Sequence, residues 1–203
     1  MPNRTPTKGN LLALKRSLTL ARLGYDLMDR KRNILIREIM GLLDRAAEIQ
    51  GRIESTFADA YTALRSANIT LGQHMDLAET VTLDDSVGIR FRSVMGVEIP
   101  IVSAVEEQEN TVPYGFALTN SRLDEARGGF VRVKRLTREL AEVETSIYRL
   151  AVAIKKTQKR ANALQNIIIP DFTRGVKFIS EALEEKDRED FSRLKLLKSR
   201  KPV

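Results

Sequence analysis

The stretch LLALKRSLTLARLGYDLMDRKRNILIREIMGLLDRAAEIQGRIESTFADAYTA, residues 11–63, decides the fold. Apolar residues recur in it at alternating steps of three and four positions, which is typical of a left-handed coiled coil and not of a strand, where the period is two. Only Arg32 and Thr56 interrupt the apolar character of the series. Its members are Leu11, Leu14, Leu18, Ala21, Tyr25, Met28, Arg32, Leu35, Ile39, Leu42, Ala46, Ile49, Ile53, Thr56, Ala60 and Ala63.

A second series with the same spacing supplies a partner for the first. It runs from Val133 to Ile168 and contains one polar member, Thr157. Two such seams, separated by a connector of different composition, can fold back on each other as an antiparallel hairpin with both termini at one end. At 1.5 Å per residue the first helix alone would be roughly 80 Å long, so the sequence predicts a mainly α, rod-like coiled-coil hairpin.

The connector between the seams has a sequence pattern typical of β-strands. Its apolar residues alternate with polar ones on both sides of Met95 and Gly96, which predicts a β-hairpin turning at that pair, and Pro100 indicates that the second strand is an edge. We therefore divide the chain into an N-terminal helix (1–66), a connector (67–118) and a C-terminal helical segment (119–203).

Three local features of the sequence predict where the helix of the C-terminal segment starts, shifts and bends. Thr119, Asn120 or Ser121 can cap its helix. The apolar series shifts phase by one residue across the pair Gly128-Gly129, which predicts a hinge or an offset of the seam there. Pro170 removes a helical hydrogen bond and should bend or break the helix, ahead of a basic tail.

Composition excludes most reaction chemistry. The chain has 203 residues, no Cys and a single histidine, His74, so it offers no thiolate ligands or imidazole cluster for zinc. No phosphate-binding loop, dinucleotide glycine pattern or nucleophile motif is present. We therefore expect a protein that is not an enzyme by itself and has no catalytic residue, cofactor or metal. No apolar run is long enough for direct membrane insertion, and the cytosol is the expected compartment.

Positive charge concentrates at both ends of the chain, whose formal net charge is +7. In an antiparallel hairpin these ends meet, and we call the resulting cluster the basic tip: Arg4, Lys8, Lys15, Arg16, Lys195, Lys198, Arg200 and Lys201. A basic coiled-coil scaffold and a nucleic-acid-binding protein are alternative interpretations. Interleaved acidic residues and the lack of an aromatic stacking series argue against nucleic acid as the partner.

Several segments resemble the D subunit of the V-type and archaeal-type rotary ATPases. Near the N-terminus these are Pro6-Thr7-Lys8, Leu18-x-x-Ala21, Gly24-Tyr25-x-Leu27 and Arg30-Lys31-Arg32. Tyr114-Gly115 looks like the lead into the second helix of that family. The C-terminal segments are more specific: Lys159-Arg160-Ala161-Asn162-Ala163-Leu164, Ile168-Ile169-Pro170, Phe178-Ile179, Leu183-Glu184-Glu185 and Arg188-Glu189-x-x-x-Arg193-Leu194-Lys195.

The resemblance implies a central-stalk rotor of a cytoplasmic complex peripheral to the membrane. Its implied partners are a catalytic hexamer of A and B subunits, a small F subunit and a cup-shaped adaptor on the membrane ring. On this basis we expect the basic tip to contact the hexamer. We expect the connector to contact the membrane-side adaptor or the small F subunit, through Ile89, Phe91, Val97 and Ile99.

Overall fold

The computed structural model describes residues 5–72, 87–104, 114–115 and 119–199. Three helices, α1 (Lys8–Leu71), α2 (Ser121–Ala163) and α3 (Ile169–Ser199), contain most of these residues. Between α1 and α2, strands β1 (Val87–Val94) and β2 (Val97–Ala104) pair as an antiparallel hairpin. The predicted fold class, a mainly α hairpin with a small β-hairpin in its connector, is confirmed.

The chain forms two compact units. The first consists of residues 1–34 and 154–203, and the second of residues 35–153. Each therefore combines part of α1 with part of the C-terminal helices, and each has its own buried seam.

The core of the second unit follows the predicted seams. Ala46 and Ile49 of α1 are buried against Val143 of α2, surrounded by the partly buried Leu42, Ile53, Leu140 and Ile147. Leu35 and Leu150 are fully buried in the same unit. Burying one large aliphatic side chain stabilises a protein by roughly 1.5–3 kcal/mol. This narrow stripe therefore supplies the main hydrophobic contribution to the stability of the unit.

The first unit buries Ala21 of α1, Ala161 of α2 and Ile179 of α3. Arg32, the polar member of the α1 series, is half-buried, and its guanidinium donates a 2.7 Å hydrogen bond to the side-chain oxygen of Gln158. It also forms an ion pair with Asp29, one helical turn away. The charge in the seam is therefore satisfied by one partner in each helix, which sets the pairing of residue 32 with residue 158.

Side-chain caps fix where the helices start. The Thr7 hydroxyl accepts a hydrogen bond from the backbone N–H of Asn10, as expected for a residue just before α1. Of the three predicted caps of α2, Asn120 is the one used: its side-chain oxygen accepts from the N–H of Leu123. The Asn120 amide nitrogen also donates to the hydroxyl of Thr70 at 2.6 Å, which ties the start of α2 to the last turn of α1.

Tyr114 lies in the lead into α2. Its hydroxyl donates a 2.8 Å hydrogen bond to the Asp124 carboxylate in the first turn of that helix. Burial, aided by this hydrogen bond, raises the pKa of Tyr114 to about 12, because the neutral phenol is the form that both favour. Tyr114, in its neutral form, thus ties the segment that precedes α2 to the first turn of that helix.

The predicted seam offset at the glycine pair does not occur. Ala126, Gly129, Val133 and Leu136 are all buried, so the seam continues at steps of three and four with Gly129 as a member. Phe130 instead contacts Tyr61 edge-on, with ring centroids 5.3 Å apart. A Cβ built on Gly129 would lie 2.8 Å from the Cβ of Ala60, so the glycine permits a close approach of two helix backbones.

Pro170 does not end the helix. A π-helical turn, Leu164–Ile168, precedes it, and the N–H of Ile169 donates to the carbonyl of Leu164, five residues earlier. This wider turn absorbs one additional residue and moves the backbone away from the carbonyl that a proline ring would otherwise strike. Beyond it, Gly175 and Ile179 of α3 are buried, so the seam resumes.

The β-hairpin turns at Met95 and Gly96, as predicted. Both residues have positive φ, 50° and 75°, and they link the paired residues Val94 and Val97. Positive φ at both central positions defines a type I′ turn, which matches the twist of two antiparallel strands. Glycine is suited to the second position because it has no Cβ to clash.

We predict opposite effects from adding a methyl group at the two neighbouring glycines. Gly129→Ala should lower the free energy of unfolding by about 1–3 kcal/mol, because the new Cβ meets the backbone and Cβ of Ala60. Gly128→Ala, which meets nothing within 4 Å, should raise it by up to about 1 kcal/mol through helix propensity. Urea unfolding followed by circular dichroism measures both, and equal stability of the two variants would contradict the close contact.

Candidate functional site

The described residues contain no group of three or more His, Cys, Asp or Glu side chains that could hold a metal ion. In the same part of the chain, no helix is long and apolar enough to cross a membrane. His74 lies outside the described residues. Two surfaces contain the residues singled out from the sequence.

The first surface is the basic tip. Lys8, Lys15 and Arg16 are exposed on α1, and Lys195 and Lys198 are exposed on α3. The remaining members, Arg4, Arg200 and Lys201, lie outside the described residues. All five described members belong to the first compact unit.

One ion pair marks the register of the two helices at this tip. The Lys8 ammonium lies 3.9 Å from the carboxylate of Asp187, so the first turn of α1 is beside residue 187 of α3. With 1.5 Å per residue, Lys15 and Lys198 are separated by roughly 27 Å along the helix axis. The structure therefore arranges the predicted cluster as a charged strip along two helices and not as one compact patch.

The last turns of α3 continue beyond the start of α1 and have a distinct composition. Residues 191–199 include Arg193, Lys195 and Lys198 but no acidic residue. They also carry four exposed large apolar side chains, Phe191, Leu194, Leu196 and Leu197, with 64–70% of their surface accessible. From its charges alone, this segment is predicted to be a basic tail. Its apolar residues do not follow the spacing of the seam, so the sequence pattern does not single them out.

The second surface is the β-hairpin, which docks on α1 and α2 in the second unit through polar contacts. The outward N–H of Val102 donates to the Glu142 carboxylate at 2.7 Å. The Arg149 guanidinium donates to the Glu98 carbonyl at 3.1 Å and lies 5.3 Å from the centre of the Phe91 ring. Charged side chains of α2 thus satisfy one N–H and one carbonyl on the outer edge of β2.

An ion pair fastens the other strand of the hairpin to α1. The Arg92 guanidinium lies 3.2 Å from the Glu38 carboxylate. Both side chains are partly exposed, so this pair adds at most about 1 kcal/mol and mainly orients the hairpin.

Pro100 occupies the outer edge of β2, as predicted. It lies between Glu98 and Val102, the two residues whose backbone groups bond to α2. A residue at this position has no ladder hydrogen bond to donate, so the missing N–H of proline leaves the β1–β2 pairing intact.

The four predicted connector contacts have different surroundings. Ile89 and Phe91 on β1 are 60% and 57% exposed, so they present apolar surface to solvent. Val97 is half-buried. Ile99 is 1% exposed and therefore belongs to the packing of the hairpin within its own chain. The alternation of apolar and polar residues in the sequence does not reveal which face of the hairpin docks on the helices.

A further exposed apolar set lies on α1 and α2 in the second unit, and the sequence pattern does not identify it. It consists of Met40, Leu43, Tyr148 and Val152, each with about half or more of its side chain accessible. These residues fall between seam positions, so they are not part of the 3,4 repeat.

These features define an α-helical hairpin protein of the coiled-coil class with one docked β-hairpin. A family model described as the D subunit of ATP synthase matches residues 10–199. The chain is 43% identical to the V-type ATP synthase D subunit of Thermotoga neapolitana, over 96% of this chain and 97% of that protein.

Archaeal relatives give the same result. The A-type ATP synthase D subunit of Methanopyrus kandleri is 37% identical, over 95% of this chain and 84% of that protein. The corresponding protein of Pyrococcus furiosus is 36% identical, over 96% of this chain and 92% of that protein. The chain therefore belongs to the D-subunit family of V-type and A-type ATP synthases, and the resemblance drawn from its sequence is confirmed.

We predict that Arg149 holds the hairpin on α2. Arg149→Ala removes a charge-assisted hydrogen bond and a cation–π contact, so docking of the hairpin should weaken by about 2 kcal/mol. Exchange of the Val102 amide hydrogen should accelerate by about 30-fold while helicity stays unchanged. Arg132→Ala, at an exposed position of the same helix, is the control. Unchanged Val102 exchange in the Arg149 variant would show that the docking does not depend on this residue.

Proposed function

We propose that this chain is the central rotor subunit of a V/A-type ATPase or ATP synthase. In this role it couples ATP hydrolysis or synthesis in a hexamer of A and B subunits to ion translocation through a membrane ring by rotation. The observation that carries the proposal is the family match over residues 10–199. The chain acts as a non-catalytic subunit of a complex peripheral to the membrane on its cytoplasmic side.

The paired helices support this role. A shaft transmits torque if its two helices cannot slide or rotate past each other, and a seam of interlocking side chains resists both motions. The pairing of Arg32 with Gln158 and the close contact of Gly129 with Ala60 each fix the register locally. Neither feature requires a reactive residue.

The partners follow from the same proposal. The A and B subunits of the hexamer receive the basic tip, and the connector with its β-hairpin contacts the small F subunit, the ring adaptor or both. Contact with the membrane is indirect, through the adaptor. The exposed Ile89 and Phe91 and the exposed apolar residues of the last α3 turns supply surface for these contacts.

Reversing charge at the tip tests its role in the hexamer. Replacing Lys15, Arg16, Lys195 and Lys198 with Glu should weaken hexamer binding by at least tenfold at low salt, because solvated charges steer association. The effect should shrink as salt rises, and helicity should be unchanged. Titration of the hexamer with labelled variant chain, over a series of salt concentrations, measures this.

A matched control reverses four exposed arginines of the second unit, Arg37, Arg52, Arg65 and Arg132, and should bind like the parent. If the tip variant also binds like the parent, the tip does not face the hexamer. The nucleic-acid alternative takes precedence if the parent binds duplex DNA with a steep dependence on salt.

Cross-linking tests the polarity of the shaft. In an antiparallel hairpin the termini and the connector are at different ends, so a tip in the hexamer leaves the connector for the membrane side. The chain has no Cys, and Ser93 and Ser199 are both exposed. In the assembled complex, Ser93→Cys should cross-link to the small F subunit or the adaptor, and Ser199→Cys to the hexamer. A cross-link from Ser199→Cys to the adaptor would reverse the proposed polarity.

A further inference from the structure

The two edges of the β-hairpin differ. The register of the strands, closed by a two-residue turn, makes Val94–Val97, Arg92–Ile99 and Arg90–Ile101 the hydrogen-bonded pairs. The backbone groups of Ile89 and Phe91 therefore point away from β2, along the outer edge of β1. Among the described residues the sheet has only these two strands.

Only one of these edges is covered within the described part of the chain. On the edge of β2 the Val102 N–H is bonded to Glu142, the Glu98 carbonyl is bonded to Arg149, and Pro100 has no N–H to donate, so this edge cannot pair with another strand. The edge of β1 has no proline, no partner strand among the described residues and exposed side chains along its length. Val87, Ile89 and Phe91 are 45%, 60% and 57% accessible. An edge with these properties is a template for an added strand.

The side chains of β1 indicate what that strand carries. They alternate between an apolar row, Ile89 and Phe91, and a basic row, Arg90 and Arg92, on the opposite face. A strand added beside β1 places apolar residues next to the first row and a carboxylate next to Arg90, since Arg92 already pairs with Glu38.

Like charges oppose a second copy of this chain as the occupant. If two β1 edges paired with each other, the basic rows of both strands would fall on neighbouring positions, which is unfavourable.

We propose that the outer edge of β1 accepts an extended segment of another subunit of the ATPase, in which Asp or Glu alternates with apolar residues. The proposal rests on the proposed function for the source of the segment. It names backbone pairing as the mode of contact and places it at β1, and not at β2, where Pro100 indicates an edge strand.

Amide hydrogen exchange at single-residue resolution tests this mode. On assembly of the complex, exchange at Ile89 and Phe91 should slow by at least tenfold, because their N–H groups gain acceptors. Exchange at Gly88 and Arg90, whose N–H groups do not face this edge, should change less. Equal slowing at all four positions would indicate general burial and overturn the proposal. So would slow exchange at Ile89 and Phe91 in the free chain, since the edge would then already be covered.

Two pairs of variants separate backbone pairing from side-chain contact. Ile89→Pro removes the outward N–H while leaving the β1–β2 ladder intact, and Pro100 shows that this hairpin accommodates proline at an outer-edge position. Ile89→Val keeps the N–H. The Pro variant should join the hexamer but retain one other subunit at least tenfold less well, whereas the Val variant should retain it.

The charge pattern is tested by Arg90→Glu, which should weaken the same retention at least fivefold, and by Arg90→Lys, which should preserve it. If the parent chain fails to join the hexamer, the proposed function fails. If the parent joins and the Pro variant retains every subunit, only the strand-addition proposal is overturned. Formation of a homodimer through β1, detected by light scattering of the free chain, would also overturn it.

Discussion

The structure depends on one constraint: a helix of 64 residues, α1, has an apolar stripe along its length that must be covered. An isolated helix gains little from its own hydrogen bonds, and most helical stability in proteins comes from packing of the apolar face. The C-terminal helices of the same chain supply that cover. Ile49 packs with Val143, and Arg32 hydrogen-bonds to Gln158. The helices are therefore held together by apolar contacts at some positions of the seam and by polar contacts at others.

The β-hairpin adds a second constraint, because a two-stranded sheet is marginally stable alone. Here the helices also direct charged groups at its backbone atoms. Glu142 accepts from an edge N–H, and Arg149 donates to an edge carbonyl while covering an aromatic ring. Only Ile99 and Pro100 of the described strand residues are buried, so the hairpin keeps apolar side chains on its surface.

Much of this fold follows from sequence periodicity. Every member of the predicted α1 seam is buried or half-buried, including Thr56, whose hydroxyl donates to the Arg52 carbonyl and so needs no partner in the other helix. Periodicity does not predict the role of a residue that acts through its small size. It marks Gly129 as an interruption of the seam, yet this glycine is where the two helix backbones make their close contact. It also predicts a bend or break at Pro170, which a π turn accommodates. The docking of Arg149 and the axial spread of the basic tip depend on which residues meet between distant segments, which periodicity does not specify.

The surfaces differ in the kind of contact that each can make. Solvated lysines and arginines attract an acidic partner over several ångströms without fixing a single geometry, and salt screens them. In the rotor role that we propose, such contacts suit a surface that meets successive partners as it turns. Backbone pairing at a strand edge is directional and fixes the register, so it suits a partner that moves with the shaft. Under the same proposal the basic tip faces the stationary part of the complex, and the edge of β1 holds a subunit that rotates.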